Sequence, residues 1–323
     1  MPYLQRSSYR PPFLFRQAHV NTIYPALFRR VAPLPYERIT IDTPDADFLD
    51  LDFVRRGHAR IVVGLHGLEG SSKRPYIQGM LWQFLKRNWD VVGMNFRSCS
   101  GRMNRQLVSY NMGTSGDLKL VVEALIEMGY REIVLIGFSL GGNVTLKYLG
   151  EVGKLLPAAV RGAIAVSVPC HIASANKEIA KLENRLYLRR FLRTLHQKMA
   201  IKAQQFPGQI QIPERAFTTF HEFDDHFTGP LHGYRNGQDY YERCSSLQFL
   251  PYIARPALLL NAQDDTFLSP LCYPRELAAR SSYLYLETPT YGGHVGFYQK
   301  VAKGGYYSER RAVAFVDEVL GCS

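Results

Sequence analysis

The sequence has no cysteine framework. Its five cysteines (Cys99, Cys170, Cys244, Cys272 and Cys322) are odd in number, scattered, and nowhere arranged as a C-x-x-C pair. That argues against a disulfide scaffold and a zinc site, and fits a reducing compartment. Long hydrophobic runs are missing too: the most apolar stretch, Gly162 to Cys170, is about half the length a bilayer span needs. At the N-terminus, Arg6, Arg10 and Arg16 interrupt every apolar stretch, so no signal-peptide core forms. A soluble, cytoplasmic protein is expected. Acidic residues are in short supply, 28 against 39 Lys and Arg, which leaves a net charge of +11. Such a balance favours anionic membrane surfaces, nucleic acid or acidic ligands. No RNA- or DNA-binding motif accompanies it, and nucleic acid is not an expected partner.

What is present is ordinary globular material, 46% hydrophobic and 21% charged over 323 residues, enough for one large α/β domain or two smaller ones. Residues 1–40, rich in proline, aromatics and arginine, show few periodic segments. Apolar runs at 59–66, 90–96, 131–138 and 161–168 read as buried strands, and they resume at 257–261 and 282–287. Helical patterns fall between them: 72–88, capped by Ser71 or Ser72, and the stretch ending at Gly129, opened by a Thr114/Asp117 pair resembling a capping box. Another begins just after Gly142, and a last one covers 308–319. This alternation predicts right-handed crossovers and a mostly parallel central sheet flanked by helices. Residues 170–250 break the rhythm, being helical, basic and aromatic, and are expected to form an inserted helical cap within one domain spanning 1–323.

The sharpest motif is Gly137-Phe138-Ser139-Leu140-Gly141, a G-x-S-x-G between a predicted strand and a predicted helix. A nucleophile elbow strains its serine, and flanking glycines let strand and helix approach. At the start of a helix, unpaired amides and the dipole favour developing negative charge. A serine hydroxyl needs a base. Among nine histidines the candidate is His294, in a glycine-rich loop after the last predicted strand. The acid should follow the strand ending at Asn261, where Asp264 and Asp265 stand side by side. Small-x-x-Asp spacing from Ala262 favours Asp265, which leaves Asp264 to shape the loop or lie in solvent. The order Ser, Asp, His is that of the α/β-hydrolase fold. The loop Leu65-His66-Gly67-Leu68-Glu69-Gly70 then supplies one oxyanion-hole amide, from Leu68, and Leu140 supplies the other. The His66 side chain is read as structural.

These pieces, in this order, resemble the YheT-like branch of the α/β-hydrolase superfamily, with its abhydrolase-domain lipases and acyltransferase/esterases. The resemblance extends to His19 with Thr22-Ile23-Tyr24-Pro25, to HGLEGSS, Asn95-Phe96-Arg97, FDDHFTGPLHGY, Asp239-Tyr240-Tyr241 and GGHVGF. The chain departs from the family pattern at Ala18 and Ser98, where glycines are usual, and at Arg102. The resemblance implies ester hydrolysis or acyl transfer through Ser139 on a small-molecule, lipid-like acyl ester, without a cofactor. A non-catalytic binding protein on the same fold is the alternative from another class.

Three features carry two readings each. Arg185 to Arg193 mixes basic and apolar residues at helical spacing: an interfacial helix that contacts anionic membrane, or, preferred, a solvated basic face whose arginine stems cover a packed core. FDDHFTGPLHGY holds aspartates and histidines without a ligand pattern, so a structured cap segment is expected there rather than a metal site. Arg97 either meets a charged substrate or, preferred, anchors its neighbouring loop.

Overall fold

The computed structural model describes residues 3–4, 7–300 and 305–321, so Arg6 and Cys322 lie outside the described residues. Among the described residues, nine strands form one sheet. In chain order they are β1 (Tyr3–Leu4), β2 (Glu37–Asp42), β3 (Phe48–Val54), β4 (Arg60–Leu65), β5 (Asp90–Asn95), β6 (Glu132–Phe138), β7 (Val160–Val166), β8 (Ala257–Leu260) and β9 (Leu284–Glu287). Their order across the sheet is β1-β9-β8-β7-β6-β4-β5-β3-β2. Only the β2–β3 and β3–β5 pairings are antiparallel. The helices are α1 (Ala18–Phe28), α2 (Pro75–Leu85), α3 (Ser115–Glu127), α4 (Leu140–Val152), α5 (Ile172–Ile179), α6 (Arg185–Gln205), the short α7 (Phe220–Phe223) and α8 (Gly229–Leu231), α9 (Gly237–Cys244), α10 (Arg275–Arg280) and α11 (Tyr307–Phe315).

The central strands are apolar on both faces because each face is covered by its own core. The two antiparallel strands escaped the sequence reading for a local reason. In β3 the sequence FLDLDFV alternates with aspartate, a residue depleted in strands. Asp50 and Asp52 are buried there because arginines from elsewhere reach them, Arg102 and Arg38 respectively. The pattern within β3 does not announce these partners, one on the neighbouring strand β2 and the other 52 residues further on.

Several predicted boundaries move. Helix α2 begins at Pro75 behind Arg74, and the Ser72 hydroxyl donates to Asp52 instead of capping. Thr114 does stand at the N-cap of α3, but its hydroxyl donates to the Asn111 carbonyl and Asp117 pairs with Arg97. Helix α4 starts at Leu140, two residues before Gly142. The last helix runs to Phe315 and then widens into a π-helical turn from Val316 to Leu320. Within residues 1–40, α1 forms on a Gln17 side-chain cap, although Pro25 lies inside it.

Between β7 and β8 the described elements are all helical: α5 to α9, short 3-10 turns, and a π-helical turn from Asp224 to Thr228. A separate apolar cluster holds this segment together, with Leu188, Leu192 and Met199 of α6 against Phe223 and Phe227. No helix among the described residues is long and apolar enough to cross a membrane.

Candidate active site

Ser139 sits where β6 gives way to α4, with φ 52° and ψ −117°, a conformation that non-glycine residues rarely adopt. Two neighbouring glycines make room for the turn. A Cβ on Gly137 would lie 2.3 Å from the Gly141 carbonyl oxygen, and one on Gly141 would lie 2.6 Å from the carbonyls of Leu65 and His66. Strand β4, strand β6 and helix α4 therefore meet at van der Waals distance only because these positions lack side chains. The Ser139 amide donates to the Val166 carbonyl of β7, which fixes the elbow to the sheet.

His294 approaches on the loop after β9. Its Nε2 lies 3.0 Å from Ser139 Oγ and its Nδ1 lies 2.8 Å from Asp265 Oδ2. The Asp265 carboxylate is fully buried, and its Oδ1 accepts the Phe267 amide at 3.0 Å. The Phe267 ring stacks on the imidazole at 4.3 Å. Asp264 points elsewhere, accepting the Gly293 amide at 2.9 Å through Oδ1. Burial pushes its carboxyl up to about 6. Of the two adjacent aspartates, Asp265 faces the imidazole and Asp264 braces the histidine loop.

Sequence reasoning missed how that loop is held. The His294 amide donates to Thr22 Oγ1 of α1 at 2.9 Å, and the Val295 amide donates to Ser167 Oγ at 2.9 Å. Pro25 has no N–H, so the Asn21 carbonyl loses its helical donor. Gly296 packs on that carbonyl so closely that a Cβ would sit 1.9 Å from it. The Asn21 side chain, fully buried, accepts the Tyr298 amide. The T-I-Y-P and GGHVGF segments are thus two halves of one contact. Their shared membership of the family pattern was the only signal of it in the sequence.

The loop after β4 is equally constrained. His66 is fully buried, and its Nε2 accepts the Phe96 amide, which leaves the proton on Nδ1 to donate to the Gly67 carbonyl. Burial pulls its pKa down to about 3, so it is a neutral brace. The amides of Gly67 and Glu69 donate to the hydroxyls of Tyr76 and Tyr110, and that of Gly70 to the Gly67 carbonyl. Leu68 stands between these engaged amides. Leu140, as the first residue of α4, has no intrahelical acceptor for its own. From α6, Lys198 reaches Glu69 at 2.7 Å.

Ser139, Leu140, Leu68 and His294 all line one cavity, with about 130 Å³ of free space. A single water needs only about 10–15 Å³, so there is room for a carbon chain. The walls are mostly apolar, from Ile179 of α5 and Phe191 and Leu195 of α6 to Phe227 and Leu231. The FDDHFTGPLHGY segment spends its polar groups on structure. Asp224 accepts from the Tyr241 hydroxyl, Asp225 from the Gly237 amide, and the His232 ring lies between the carbonyls of Thr228 and Ser109, to one of which its N–H donates. Arg97 is an anchor, bonded to both oxygens of Asp117 at 2.9 and 2.8 Å and to Asp47.

A family model described as the alpha/beta hydrolase fold matches residues 60–301. A protein of Escherichia coli (strain K12), named "Putative esterase YheT", is 35% identical over 88% of this chain and 85% of its own length. The monoacylglycerol lipase of Saccharomyces cerevisiae is 29% identical over 80% of this chain, which spans 60% of that longer protein. Among solved structures, the Pyrococcus furiosus esterase Pf2001 superposes with a TM-score of 0.59 at 19% identity, covering 90% of this chain and 95% of that one. The chain belongs to the α/β-hydrolase family, and within it to the esterase/lipase type.

Proposed function

We propose that this protein hydrolyses carboxylic esters of lipid-like acyl chains through a covalent acyl-enzyme on Ser139. The supporting observation is the unbroken hydrogen-bond chain Ser139 Oγ, His294, Asp265 at the wall of an apolar cavity. Ser139 Oγ attacks the ester carbonyl while His294 Nε2 takes its proton. Asp265 holds the Nδ1–H tautomer and balances the imidazolium charge. The amides of Leu68 and Leu140 receive the oxyanion, each donor being worth about 3 kcal/mol to the transition state. The proton then passes from His294 to the departing alcohol, and water repeats the sequence to release the acid.

The relatives named as a monoacylglycerol lipase and as phospholipases act on lipid esters, and the apolar lining here suits an acyl chain in the same way. Residues 170–250 act as a cap that sizes this chamber. Ser139-dependent labelling by a fluorophosphonate, with a chain-length optimum among p-nitrophenyl esters from acetate to palmitate, is the expected result. Absence of labelling in folded wild-type protein, or equal labelling of Ser139→Ala, overturns the reading.

A further inference from the structure

Helix α1 wears its apolar residues on the outside. Ile23, Tyr24, Leu27 and Phe28 are all exposed, while Asn21 and Pro25 face inward. At helical spacing, Val20, Ile23, Tyr24, Leu27 and Phe28 form one continuous arc. The preceding turn adds Phe13, 84% exposed, and Leu14, 64% exposed. Soluble surfaces carry single exposed apolar residues, but a contiguous patch of this kind marks an interaction site.

The charge around the patch has one sign. Residues 1–36 contain no Asp or Glu, and neither do residues 185–205 of α6. Arg16, Arg30, Arg185, Arg189, Arg190 and Arg193 are exposed, and none makes an ion pair among the described residues. The nearby acids Glu309 and Glu178 are already paired, with Arg29 and Lys181, which leaves Glu183 as an exposed acidic side chain beside the start of α6. Exposed Leu182, in the turn just before α6, and exposed Leu186 of α6 stand among those arginines.

The two surfaces meet beside the candidate active site. His19, at the edge of the apolar arc of α1, lies with its Nδ1 3.0 Å from the Tyr187 hydroxyl of α6 and stacks on that ring. Tyr187 packs edge-on against Phe267, which stacks on His294. One helical turn along α1, Thr22 holds the His294 amide.

We infer that the outer faces of α1 and of the N-terminal half of α6 form one docking surface for an anionic lipid bilayer. Ile23, Leu27 and Phe28 enter the acyl boundary, and the arginines meet lipid phosphates, as interfacial helices do. Helix α6 also walls the cavity through Phe191 and Leu195, so the docked face lies against the chamber that receives the acyl chain. The purpose rests on the lipid-ester reading above; the binding itself does not.

The test is co-sedimentation of the full chain with phosphatidylcholine vesicles, with and without phosphatidylglycerol, across a salt series. Wild type and Ser139→Ala should bind the anionic vesicles equally, and both should be released by salt. Leu27→Glu with Phe28→Glu, and separately Arg189→Glu with Arg190→Glu, should weaken binding about tenfold or more. Turnover of a soluble short-chain ester should be unchanged, since none of these side chains lines the cavity. Wild-type vesicle binding no stronger with phosphatidylglycerol, or undiminished in the variants, overturns the inference. So does a wild-type oligomer that Leu27→Glu with Phe28→Glu dissociates, because the face would then be an interface between copies. Vesicle binding without esterase activity would retire the proposed function and leave the surface standing.

Discussion

The Thr22 hydroxyl accepts the His294 amide proton at 2.9 Å, across a separation of 272 residues. The same hydroxyl donates to the Ala18 carbonyl, so α1 and the histidine loop share one bridging oxygen. Thr22→Val keeps the shape and removes the acceptor, leaving a partly buried amide unpaired at a cost of about 1–3 kcal/mol. The loop relaxes, and a shift of about 1 Å in the imidazole is enough for a hundredfold loss of rate. The expected outcome is a 10- to 100-fold fall in kcat with KM little changed, recovered in Thr22→Ser, read from steady-state ester hydrolysis.

The adjacent aspartates should separate cleanly in kinetics. Asp265→Asn presents an amide to His294 Nδ1 and favours the wrong tautomer, for which a loss of about 10⁴ in kcat is expected. Asp264→Asn retains an oxygen for the Gly293 amide and should stay within about tenfold of wild type. Equal losses in the two variants would remove the distinction drawn from their hydrogen bonds.

What was legible in the sequence was whatever is decided locally. The parallel strands are short apolar runs, and the elbow, the acid loop and the histidine loop each follow such a run. Helix α1 and strands β1, β2 and β3 were not legible: β1 is only two residues long, and the others are stabilised by partners outside their own local pattern, Gly296 on Asn21, and Arg38 and Arg102 on buried aspartates. The departures from the family pattern also have local answers. Ser98 stands at φ 62°, where a glycine would be at ease, and its hydroxyl donates to the Asn104 side chain and accepts the Asn104 amide. Arg102 binds Asp50 and lies over the Phe48 ring.

Asp264 should also make stability depend on pH. Burial raises its carboxyl from 3.8 to about 6, so the folded state holds the proton more tightly than the unfolded chain. The stability from this group is therefore full below about pH 4 and is lost as pH rises through about 6. Its Oδ2 has no hydrogen-bond partner among the described residues, which makes the charged form costly. Asp264→Asn removes the titration. Relative to wild type it should gain about 2–3 kcal/mol, several degrees in Tm, at pH 8, with little difference below about pH 4. Parallel Tm-versus-pH curves for the two proteins would contradict this.

Glycine positions offer the sharpest contrast between fold and site. A methyl group on Gly116, exposed in the first turn of α3, would meet no atom within 4 Å, so Gly116→Ala should stabilise by about 0.5–1 kcal/mol through helix propensity alone. A methyl group on Gly296 would lie 1.9 Å from the Asn21 carbonyl. That neighbour is backbone, held by α1, and cannot swing aside. Gly296→Ala must push α1 and the histidine loop apart, which breaks the Thr22–His294 contact as well. A fall in Tm of several degrees, together with loss of fluorophosphonate labelling at Ser139, is the expected result. Normal labelling in a folded Gly296→Ala would mean that the loop reaches its place without α1.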